Sequence, residues 1–172
     1  MYFADISNFN NLNDYISIFN GVISIELILI FLVFENFIKS KNLKEWYVIY
    51  NLSAVIADVL IIVIGIIISR FLYPFIFTKF SIILFTLLTL VIQIIHDILF
   101  YLYFSSVPKG ENKMLDFFKK YADAVGYKAI LGDSVLIIMS CLSSSLFASL
   151  SLNSNIIHLI VIIYFIPYLI YS

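Results

Sequence analysis

The sequence predicts an all-α protein, a polytopic transmembrane helical bundle of about five spans, and three observations carry that prediction. Of 172 residues, 63% are hydrophobic and 12% are charged, and the mean hydropathy is +1.07. A water-soluble domain of this length cannot hide so much apolar surface in one core. The apolar residues are also gathered into five stretches of roughly membrane length, since a helix rising about 1.5 Å per residue needs about 20 residues to cross about 30 Å of hydrocarbon. These runs are too long for strands and lack the turn signals of a membrane barrel. Helices further satisfy every backbone hydrogen bond internally, as lipid requires.

The five spans are expected at Tyr15 to Ile38, Tyr47 to Ser69, Ser81 to Phe104, Ala129 to Leu150 and Ile156 to Tyr171, all within one domain covering residues 1–172. The last is the shortest and contains Pro167, so it is the span least assured by length. Residues Met1 to Asp14 carry no Lys or Arg, so no positive n-region of a cleavable signal precedes the first span, which is expected to stay in the mature chain. Between spans three and four, Met114, Phe117, Phe118, Tyr121 and Val125 recur at helical spacing, with Asp116, Lys119, Lys120 and Asp123 on the other face. This predicts a short amphipathic helix at about 112–125, capped by Asn112 and ended by Gly126, lying in the headgroup interface with its aromatic face down.

Lysines set the orientation. Lys39, Lys41 and Lys44 follow span one, and Lys109, Lys113, Lys119, Lys120 and Lys128 follow span three, whereas the opposite side receives Arg70 and Lys79. The positive-inside rule then puts the amino terminus outside and both lysine-rich loops in the cytoplasm. A net charge of -1 offers no basic field for nucleic acid, so no nucleic-acid partner is expected. The partners expected are the lipid bilayer and a second copy of the chain or other membrane proteins. Cys141 stands alone in an apolar segment, which excludes an intrachain disulfide framework and a multi-cysteine metal site. No metal site and no cofactor is expected.

Ionisable side chains at membrane depth cost about 2.5 to 3.5 kcal/mol each on insertion scales, so each calls for a partner or a role. Asp58 falls near the middle of the expected span two, His96 and Asp97 in span three, and Asp133 near the inner end of span four. Thr86, Thr89, Gln93, Asp97 and Tyr101 step by three or four along one face. Asp58, Gln93, His96, Asp97 and Asp133 are therefore read as a polar network turned toward a common axis. Such a network either fixes the register of a structural bundle or forms a small proton or cation pathway. Glu26 and His158 are peripheral candidates. Glu26 sits about 200° around its helix from Ser24, off the small face of Ser17, Gly21 and Ser24, and is assigned to a contact with another subunit. A lone histidine in a polar bundle is read as a packing residue rather than a zinc ligand.

His96 and Asp97, followed by Gly132 and Asp133, resemble the paired motifs of presenilin-like intramembrane aspartyl proteases. That resemblance implies an alternative, enzymatic function with Asp97 and Asp133 as the catalytic carboxyls, although Ile130 and His96 depart from the family pattern. The segment from Gln93, His96, Asp97, Phe100 and Tyr101 through Pro108, Gly110, Met114, Leu115 and Lys119 to Gly132, Asp133 and Ser134 is similar to uncharacterised small membrane proteins of large DNA viruses. It implies a place in a virion or host membrane and carries over no activity.

Overall fold

Apolar runs with no water to bond their backbone become helices, and the computed structural model, which describes residues 3–171, contains seven helices and no strand among them. Five are long and apolar enough to cross a membrane: α1 (Asn13–Phe34), α3 (Leu52–Ile76), α4 (Ile82–Ser106), α6 (Lys128–Phe147) and α7 (Leu152–Ile170). Two shorter helices, α2 (Lys41–Tyr50) and α5 (Lys113–Val125), lie on the lysine-rich side. Along α3, Ile56, Leu60, Ile64, Ile68, Phe71 and Phe75 form a continuous exposed stripe. A water-soluble helix would carry polar residues there; an apolar outer face is what a multi-pass membrane protein presents to lipid.

Several boundaries differ from the sequence reading, each for a local reason. The expected second span began at Tyr47, but Tyr47 and Tyr50 belong to α2, because Asn51 adopts a positive φ of 49° and breaks the chain before α3 starts. Asparagine tolerates that region better than most L-residues do. The span then runs on to Ile76, so Asp58 lies near the lysine-side end of a 25-residue helix instead of its middle. At the end of α1, Asn36 (φ 60°) turns the chain, and the Ile38 amide donates back to the Leu32 carbonyl at 3.0 Å. The last span begins at Leu152, four residues before the expected start, where the Ser151 hydroxyl accepts from the Ser154 amide at 3.1 Å. Its 19 residues give about 28 Å, enough for a full crossing.

α1 is the hub of the bundle. Its small face meets α6, where Gly21 stands directly against Ser144 and the Ser144 hydroxyl donates to the Ile18 carbonyl at 3.3 Å. Close backbone approach through small residues is how apolar helices gain packing in lipid. α7 is held to α1 by Asn20, whose amide donates to the Asn155 carbonyl and side-chain oxygen at 2.8 and 2.9 Å, both residues being buried. Cys141 is fully buried and packs against Thr86 and Thr89 of α4.

Arg70, counted above as a loop charge, is inside α3 and fully buried. It pairs with Asp14 at 3.1 Å and donates to the carbonyls of Asn8 and Asn11. Residues 3–12 thus fold over the end of the bundle opposite the lysine-rich side, with Ile6 buried and Ser145 donating to the Ala4 carbonyl at 2.6 Å.

Candidate functional site

The acids of four helices come to one level because each is a few turns from the lysine-side end of its helix. Glu26 is eight residues before Phe34, Asp58 six after Leu52, Asp97 nine before Ser106 and Asp133 five after Lys128. At about 1.5 Å per residue these depths are about 8 to 14 Å. There α3, α4 and α6 surround a cavity of about 730 Å³, and Asp58, Gln93, His96, Asp97 and Asp133 all line it. Ile62, Leu136 and Ile137 line it on the side away from the lysine-rich end.

Each carboxyl is held differently. The Asp97 Oδ1 accepts from the Gln93 amide at 2.6 Å and lies 3.2 Å from His96 Nδ1. This is the three-and-four spacing of α4 made concrete, since Gln93 is one turn above Asp97. Its Oδ2 is buried with no hydrogen-bond partner. Asp133 makes no side-chain hydrogen bond among the described residues and feels Asp97 and Asp58 only through space. Asp58 accepts from the indole nitrogen of Trp46 at 2.8 Å and also touches Glu26 and Tyr47.

Glu26 is the principal correction. It was assigned to a contact with another subunit, yet it is buried inside this bundle, where the Tyr47 hydroxyl donates to Oε1 at 2.6 Å and the carboxyl adjoins that of Asp58. The other Glu26 carboxyl oxygen, Oε2, is buried with no hydrogen-bond partner. Burial, with Glu26 and Asp58 beside it, pushes the Tyr47 hydroxyl well above its ordinary pKa. Tyr47 therefore stays a protonated donor throughout the neutral range.

The floor of the cavity is made by the two amphipathic helices. α5 forms as expected, with Asn112 Oδ1 accepting from the amides of Met114 and Leu115 and Gly126 ending it at φ 58°. Its aromatic face does not lie open to headgroups. Phe117 and Phe118 pack on Trp46 of α2 at ring distances of 5.3 and 5.0 Å, and Phe118 meets Phe100 of α4 at 5.2 Å. The protein itself supplies the apolar surface that the amphipathic pattern demanded. Tyr50 donates to the Lys113 carbonyl at 2.7 Å, and Lys120 reaches Glu45 at 2.8 Å, tying α5 to α2. The Lys120 side chain is 62% exposed, so Lys120→Gln is expected to lower stability by less than about 1 kcal/mol in a thermal melt.

His158 lies elsewhere. Its Nε2 is 3.0 Å from the Ser24 hydroxyl and its ring packs on Phe147 at 4.5 Å, a contact joining α7 to α1 and α6. Asp97 and Asp133, the alternative catalytic pair, open onto the same cavity, but no hydrogen bond joins them among the described residues; the carboxyls in contact are Glu26 and Asp58. Trp46 and Tyr47 escaped the sequence reading because α2 was divided between a loop and a span. The available signal was Glu26 itself, an acid deep in an apolar span that had to find a donor.

Comparison of the chain with protein-family models, with curated proteins and with solved structures finds no match.

Proposed function

We propose that this multi-pass membrane protein binds a proton or a cation in the acid-lined chamber, as one element of a small proton or cation pathway. One observation supports this above the others: Asp58, Asp97 and Asp133, carried by three different helices, face a common cavity whose lining includes no lysine or arginine. A purely structural network would spend its carboxyls on hydrogen bonds across the helix interfaces. Asp133 makes none and Asp97 leaves one oxygen unpartnered. With the lysine-rich side cytoplasmic, the chamber lies toward the cytoplasmic half of the bundle, above the floor that α2 and α5 make. A virion or host membrane is the proposed location, supported by the resemblance of spans three and four.

Protein reconstituted in liposomes carrying a pH-sensitive dye is expected to pass protons down an imposed gradient, and Asp97→Asn to abolish that flux. Wild-type flux in the mutant would reject the pathway. The second reading, an aspartyl-protease-like enzyme, draws on Asp97 and Asp133 facing one cavity. It requires a transition-state analogue to label the protein and the label to vanish with either aspartate.

A further inference from the structure

We infer that the chamber's occupant is a hydrophobic organic cation, an ammonium or phosphonium centre carrying apolar groups; this rests on the cation-binding reading above and names its substrate class. Size is the first argument. A cavity of about 730 Å³ is far more than a proton relay needs and falls in the range of about 300 to 1,000 Å³ typical of sites for drug-sized ligands. The second is the spread of the acids. Among the described residues no three acid, histidine or cysteine side chains are grouped so as to hold one metal ion. A bare inorganic ion would therefore lack the converging oxygens it requires.

The aromatic lining is the third argument. Trp46, Phe100, Phe117, Phe118 and Tyr121 line the same cavity as the acids, and aromatic faces attract organic cations while their rings shelter the attached hydrocarbon. Carboxyls without a lysine or arginine beside them supply the complementary charge. The rim gives the route: Ile98, Tyr101 and Tyr127 line the cavity and are 51%, 53% and 73% exposed. Its mouth is thus apolar and aromatic at the lysine-side flank of α4 and α6, suited to a molecule that first partitions into the headgroup region.

The sequence has one tryptophan, and it lies in the chamber wall, so its fluorescence reports occupancy. Full-length protein in detergent should show a saturable change in Trp46 emission with tetraphenylphosphonium. The same-shaped anion tetraphenylborate should give none over the same concentrations. Asp133→Asn, which loses no hydrogen bond, is expected to raise the half-saturating concentration about ten-fold or more, and Asp97→Asn to do likewise. Should Asp97→Asn fail to fold, as judged by gel filtration, Asp133→Asn decides alone. Equal responses to both ions, a response that never saturates, or an unchanged midpoint in Asp133→Asn would overturn the inference. Asp97-dependent proton flux without phosphonium binding would remove the organic cation and leave the pathway; loss of both would remove both.

Discussion

Gly21→Ala is expected to destabilise the folded bundle by about 3 kcal/mol or more, at the upper end of what overpacking costs. A Cβ at position 21 would stand 2.4 Å from the Ser144 amide nitrogen and 2.6 Å from its Cα. Both are backbone atoms, so no rotamer change relieves the clash; α1 and α6 must move apart. That separation also strains the Asn20 to Asn155 contact one residue away, through which α7 is attached. Gly132→Ala provides the control, because its added carbon meets nothing within 4 Å. It should be neutral or stabilising by up to about 1 kcal/mol, as expected for removing a helical glycine. Thermal unfolding of the two variants in the same detergent compares them directly. Equal midpoints would mean that the α1–α6 approach is looser than the Gly21 geometry requires.

The number of spans was legible in the sequence because lipid imposes a length and an apolar content on each helix, and nothing else in 172 residues satisfies both five times. Boundaries were less legible. Asn51 carries the break between α2 and α3 in its backbone conformation, and the flanking Tyr47 to Tyr50 and Leu52 to Val55 are equally apolar on either side of it. A window that averages hydropathy runs straight through such a point.

The acids show the same division. The facing of Asp97 could be read from Gln93 one turn before it, since both lie on one helix and helical geometry fixes their relation. The relation of Glu26 to Asp58 could not, because it depends on how α1 and α3 rotate against each other. Taking Ser17, Gly21 and Ser24 as the whole inward face of α1 left Glu26 pointing outward. In the bundle α1 is surrounded, with α6 on its small face and α2 and α3 on another, so an off-face residue is still interior.

Arg70→Met carries the second large expected effect, and its sign depends on which of two opposing costs dominates. Burying the Arg70 guanidinium costs desolvation energy, so the pair with Asp14 adds little net stability compared with two apolar residues. Removing the cation alone is different. Asp14, also buried, would keep the Asn11 amide at 2.9 Å and lose its counter-charge, while the carbonyls of Asn8 and Asn11 would lose a donor. The face of Tyr15, 4.4 Å from the guanidinium, would lose its partner too. Breaking one side of a buried pair typically costs about 3 to 5 kcal/mol. The released element would be the chain before Asn13, so a protease should clip the variant there at temperatures at which the wild type is intact. Arg70→Met combined with Asp14→Leu should recover most of the lost melting temperature, because no uncompensated charge then remains. Recovery with continued clipping would assign Arg70 to anchoring the amino-terminal segment through the Asn8 and Asn11 carbonyls; no recovery would show that the pair stabilises this end of the bundle beyond the cost of burying it.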